Sequence, residues 1–187
     1  HGSNVMGAVT GPFMTKMMAQ NLELYQAGEG ITASGVFYTA GSKYSIIANP
    51  FASGWFGPTG SGITMGLIIA IMLFSKRDDF KAIAKLAIPC GLFNINEPII
   101  FGIPMVMNAM FAVPFFLAPV ACVCCGYLVQ SLGLCPLFVI DVPWTTPVGL
   151  FGFLASSGNI MGGIWQIVII LGVSTLIYTP FVIAANR

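Results

Sequence analysis

The chain has 187 residues, 57% hydrophobic and only 7% charged, with a mean hydropathy of +0.90 and a formal net charge of +1. Soluble domains carry about 25% charged residues, so this composition cannot make a wetted surface and points to a membrane protein. The near-zero charge also excludes the electrostatic footprint of a nucleic-acid binder. Its 22 Gly and 12 Pro are tolerated in transmembrane helices, where neighbouring helices and polar side chains re-satisfy freed backbone groups. The length permits about four or five crossings at ~20 residues each. Because the first residue is His1 and not Met, the chain is expected to be a piece of a longer protein, or to begin with a His-Gly-Ser expression scar.

In chain order, residues 1–20 read as a loop entering a moderately apolar helix, with Gly11-Pro12 as punctuation. Asn21 to Ala33, holding Glu23, Glu29 and two glycines, reads as a surface loop. Phe37 to Gly57 is irregular, and Trp55 and Phe56 suit a membrane interface. Ile63 to Phe74 is a short apolar helix expected to start near Thr59. Four of the seven basic residues then fall between Lys76 and Lys85, which places that loop in the cytoplasm.

Leu86 to Met107 is apolar but broken by Pro89, Gly91, Pro98, Gly102 and Pro104. It reads as a re-entrant or discontinuous helix pair, an irregular backbone allowed at membrane depth only where it lines a cavity. Phe111 to Leu134 is long enough to cross, Pro136 to Ser157 is again interrupted, and Ile160 to Ala185 is a second full span. The expected architecture is therefore an all-α, polytopic membrane protein with re-entrant helical hairpins. Counting passes from the basic loop puts the C-terminal Arg187 in the cytoplasm.

Glu97 is the strongest functional candidate. From it to Asp141 no side chain is charged, and a carboxylate at a bilayer centre costs about 2.5–3.5 kcal/mol, so it needs a partner or a task. An ionised carboxylate accepts through two oxygens, which suits adjacent sugar hydroxyls. Asn94 and Asn96 beside it supply amides, and Pro98 biases Glu97 away from α geometry. The alternatives are a structural acid or a proton relay. Trp144-Thr145-Thr146-Pro147 is the second candidate, since an indole offers a flat apolar face and an N–H donor; the alternative is an interfacial tryptophan. Asp141 reads as an N-cap or turn acid in preference to a second polar wall of the site. His1 is ambiguous by chemistry alone.

No cofactor or metal is implied. Cys90, Cys122, Cys124, Cys125 and Cys135 have no zinc-ligand spacing, the sole histidine is His1, and the thiols read as reduced packing residues. There is no phosphate-cradling glycine loop and no serine nucleophile elbow, hence no self-sufficient catalytic machinery.

His1-Gly2-Ser3-Asn4, Gly60-Ser61-Gly62, Leu73-Phe74-Ser75-Lys76, the block Gly91 to Gly102 and Val142-Pro143-Trp144-Thr145-Thr146-Pro147 together resemble the lactose/cellobiose/diacetylchitobiose family of phosphotransferase-system permeases. The resemblance is to the membrane component, EIIC, and to the C-terminal half of it, over essentially all 187 residues; Ala33 to Pro58 departs from the pattern. It implies uptake of a sugar, with cellobiose, lactose and chitobiose all fitting, phosphorylated at the inner face by phospho-EIIB. It implies location in the bacterial inner membrane and a homodimeric full-length permease, with an N-terminal half not in this chain. It maps the family's site residues onto His1, Glu97 with Asn96 beside it, and Trp144; Thr145 beside the indole adds a hydroxyl that donates and accepts. Glu97 or His1 would also be the candidate proton acceptor. Two other readings remain open: a proton-coupled sugar carrier, and a non-functional truncated fragment.

Overall fold

The computed structural model describes residues 2–28, 31–32, 35–39, 42–103, 105 and 108–186. His1 lies outside them. The chain opens with α1 (Gly2–Gln26), which runs straight through Gly11-Pro12. The expected punctuation there, and the loop expected from Asn21, are both corrected. Pro12 removes one N–H, and in this apolar helix no competing turn forms. Asn21 is buried and joins α1 to the following segment by a reciprocal pair: its Nδ2 donates to the Ser45 carbonyl at 2.7 Å, and the Ser45 N–H donates to its Oδ1 at 2.8 Å.

A two-residue antiparallel pair follows, β1 (Ile31–Thr32) with β2 (Gly35–Val36). Then comes α2 (Asn49–Trp55), with Pro50 in its first turn. Trp55 is wholly buried and stacks on Phe138 at 5.2 Å between ring centroids, so it is a core residue and not an interfacial anchor; Phe56 is exposed.

The short apolar helix is α3 (Thr64–Phe74). Its start lies five residues beyond the expected Thr59, because residues 59–63 form an irregular loop with positive φ at Thr59, Gly60, Gly62 and Ile63. At 11 residues it is about 17 Å long, too short to cross a ~30 Å hydrocarbon layer. It is buried against its neighbours. A Cβ on Gly66 would meet the Ser174 hydroxyl at 2.0 Å, so glycine there sets the approach of the last helix.

The basic loop leads into α4 (Asp78–Leu92), then a break, then α5 (Glu97–Gly102). The discontinuous helix pair expected here is present, but the chain stays helical through Pro89 and breaks at Asn94, the residue with φ +65°. In the loop, the Arg77 guanidinium reaches Asp79 at 2.6 Å and holds its carboxyl below the usual range.

Among the described residues, two helical stretches are long and apolar enough to cross a membrane: α6 (Ala109–Ser131) and the 25 residues Ile160–Ala184. The latter comprises α8 (Ile160–Ile167), a π-helical turn (Val168–Val173) and α9 (Ser174–Ala184). Asn108 and Asn159 cap the starts of these two stretches, each accepting from the N–H two residues on. Between them residues 132–149 are irregular, and α7 (Leu150–Ala155) is a single short turn of helix. One apolar cluster gathers around Trp55, Phe138 and Ile170, a second around Leu67, Ile99 and Phe111.

Candidate functional site

The three irregular stretches meet at one side chain. Asn94 is buried, and its Oδ1 accepts from the Thr59 N–H at 2.6 Å. Its Nδ2 donates to the Thr146 carbonyl at 2.9 Å and to the Trp144 carbonyl. One amide thus ties the 59–63 loop, the α4–α5 break and the Trp144 turn together. Its own left-handed φ is one that Asn adopts more readily than most residues.

Asn96 makes the second tie. It is buried, and its Nδ2 donates to the Ser61 carbonyl at 2.7 Å. The Tyr178 hydroxyl, from α9, donates to the Gly62 carbonyl at 2.7 Å, and the Thr59 hydroxyl accepts from the Met65 N–H at 3.3 Å. These contacts hold Thr59 and Ile63, two β-branched residues, at φ of 60° and 51°. Such backbone persists only when the surroundings over-determine it.

Burial alternates across the break: Asn94 and Asn96 are buried, whereas Phe93, Ile95 and Glu97 are exposed. The sequence suggests an acid enclosed by apolar residues and amides free to bind. On this chain the carboxylate of Glu97 is exposed, at the first position of α5, with no hydrogen bond or ion pair among the described residues. The amides are the enclosed groups, and their hydrogen bonds run to backbone, with Asn96 bonded to Ser61 and not to Glu97. The turn at Asn94, at φ +65°, followed by Asn96 at φ −115° and ψ 4°, places both amides inside and leaves Phe93, Ile95 and Glu97 outside. Glu97 stands among exposed apolar side chains, Phe101 at 80% exposure being the most open.

Trp144 is 65% exposed and Thr145 is exposed. Their turn is closed by the Thr146 N–H donating to the Pro143 carbonyl at 3.0 Å. Asp141 caps no helix: α7 begins nine residues later, and the Asp141 Oδ2 instead accepts from the Asn49 side chain at 3.4 Å.

One residue carries weight that the sequence reading missed. Gln166 is fully buried; its Oε1 accepts from the N–H groups of Gly149 and Gly152, both at 2.8 Å, and its Nε2 donates to the Gly54 carbonyl at 3.0 Å. The available signal was a lone amide inside the apolar stretch Ile160–Ala184. No cluster of three or more His, Cys, Asp or Glu that could hold a metal occurs among the described residues. Cys122 and Cys135 are buried and Cys124 is exposed, all as free thiols.

Two apolar stretches of crossing length among the described residues, with interrupted helices gathered at one polar junction, are consistent with a helical membrane protein. The family model described as "Phosphotransferase system, EIIC" matches residues 1–119, and the chain belongs to that family of integral membrane permeases. It is 35% identical to the oligo-beta-mannoside-specific EIIC component of Bacillus subtilis (strain 168), with 100% of this chain covering 40% of that protein. It is 37% identical to the cellobiose-specific EIIC component of Lactococcus lactis subsp. lactis (strain IL1403), again 100% over 40%. The solved structure of the transporter ChbC, the IIC component of the N,N'-diacetylchitobiose-specific phosphotransferase system, superposes with a TM-score of 0.84 at 33% identity, over 100% of this chain and 40% of that one. The chain thus spans about 40% of the length of these relatives.

Proposed function

We propose that this chain is the C-terminal, sugar-contacting portion of a permease that brings a β-linked disaccharide across the bacterial inner membrane for phosphorylation by phospho-EIIB. The observation that supports it best is the junction at Asn94, which binds the break carrying Glu97 to the turn carrying Trp144. A carboxylate without a partner among the described residues and an open indole are thereby held on one rigid support. Glu97 takes a pair of hydroxyls on one ring, and Trp144 packs on a ring face with Thr145 beside it. Asn94 and Asn96 position these groups and do not touch the sugar. His1, which lies outside the described residues, contributes to the same ring. The relatives named above are specific for cellobiose, oligo-beta-mannoside and diacetylchitobiose, and a lactose-specific relative from Staphylococcus aureus is named as an EIICB component, which favours EIIB as the partner. The active unit is a homodimer with its C-terminus in the cytoplasm.

Glu97→Gln in the full protein removes the charge and keeps the shape. Binding of the cognate sugar falls at least about tenfold, because a hydrogen bond to a charged group is replaced by a neutral one. Wild-type affinity in that variant removes Glu97 from the site. Sugar phosphate as the uptake product, dependent on phospho-EIIB, separates this function from a proton-coupled carrier, which delivers free sugar.

A further inference from the structure

Between the start of α2 and the Trp144 turn lies a cleft of about 450 Å³, lined by Asn49, Ser53, Asp141, Val142, Pro143 and Trp144. That is within the ~300–1,000 Å³ typical of small-molecule sites. Its polar groups are only lightly committed. The one hydrogen bond of the Asp141 carboxylate among the described residues is with the Asn49 amide at 3.4 Å, beyond the usual 2.7–3.2 Å of a good N–H···O bond. Among the described residues Asp141 faces no cation, and the Ser53 hydroxyl and Trp144 indole N–H have no hydrogen-bond partner. The apolar wall is Val142, Pro143 and the open indole face.

This combination selects one ligand chemistry. A free carboxylate repels phosphates and other anions. A cation of the calcium or magnesium type favours several carboxylate oxygens together, and Asp141 is the one carboxylate among the residues lining the cleft. A carboxylate, an amide and a hydroxyl beside an aromatic plane instead match a neutral pyranose ring, which offers vicinal hydroxyls at its edge and C–H groups on its face. We infer that the Asn49–Ser53–Asp141 cleft is a second ring subsite, continuous through Trp144 with the Glu97 site. It holds the ring of a disaccharide that Glu97 does not hold, and Asp141 is its specificity-determining group. This rests on the reading of the chain as sugar-contacting.

The test compares affinities of the full protein in detergent for cellobiose, lactose and diacetylchitobiose against methyl β-glucoside, a single ring. In Asp141→Asn the ratio of affinities, best disaccharide over single ring, falls about tenfold, and in Ser53→Ala it falls less. Glu97→Gln weakens both probes and leaves the ratio near its wild-type value. An unchanged ratio in Asp141→Asn overturns the subsite, and so does an equal loss of both probes. If Glu97→Gln binds both probes as wild type does, the reading of Glu97 fails while the Asp141 ratio still decides the cleft. Wild-type protein that binds no disaccharide overturns both. Asp141 is exposed and weakly bonded, so the variant folds.

Discussion

The two interrupted segments are built in opposite ways. The α4–α5 break braces its surroundings with its own side chains: Asn94 and Asn96 reach out to backbone groups of Thr59, Ser61, Trp144 and Thr146. The 136–155 segment contributes mainly backbone and is braced by others, through Asn94 at its turn and Gln166 at Gly149 and Gly152. Consequently its own polar side chains, Asp141 and Thr145, and the Trp144 ring stay outward. The latch and the proposed ligand groups are separate residues. In the first segment they alternate along the chain; in the second the latch comes from elsewhere.

That contrast can be broken most directly at Asn94. Asn94→Ala strips partners from one N–H and two carbonyls and puts alanine at a left-handed φ. Stability falls by at least about 4 kcal/mol, from ~1–3 kcal/mol for each abandoned group and ~1 kcal/mol or more for the backbone. Equilibrium unfolding in detergent measures it, and Asn94→Gly recovers the backbone part alone. A loss below ~1 kcal/mol, the worth of a single ordinary hydrogen bond, would mean the junction is not a latch.

Gly60→Ala tests the second tie. A Cβ there would lie 2.4 Å from the Asn96 Cγ, at a φ of +79°. The forced shift costs about 2 kcal/mol in the same unfolding measurement. The expected loss of sugar affinity follows indirectly, through Asn96 and its neighbour Glu97.

The smallest effect on stability belongs to the outward groups. Trp144→Ala leaves stability within ~0.5 kcal/mol, because the ring is mostly exposed. Sugar affinity nevertheless falls about tenfold through loss of the stacking face. Equal damage to both properties would show that Trp144 is a latch residue after all, and would erase the distinction between the segments.

Much of this was legible in the sequence. The apolar spans, the break between Leu86 and Met107 and the interrupted 136–157 stretch all show in composition and in Gly/Pro punctuation; the basic stretch is a loop only as far as Arg77, and Lys81 and Lys85 lie on α4. Punctuation misled where it stood alone: Gly11-Pro12 and Pro89 lie inside helices, because one missing N–H does not end a helix that has no alternative pairing. The sequence reads Asn94 and Asn96 as ligand groups and the structure shows them bonded to backbone, because an amide serves a sugar or a backbone equally well. Nothing in residue type distinguishes the two. Gln166 escaped notice because a single amide in an apolar run has no periodic pattern to reveal it.

Residue chemistry alone determined the membrane setting, the order of the segments and the few groups able to meet a polar solute, because hydropathy, charge and helix breaking are properties of short stretches. Which amides face inward, that Asp141 opens onto a cleft and not a helix end, and that Glu97 stands outward on this chain were decided by the tertiary structure. Those outcomes depend on which distant backbone groups need a partner, and the chain declares that need only once it is folded.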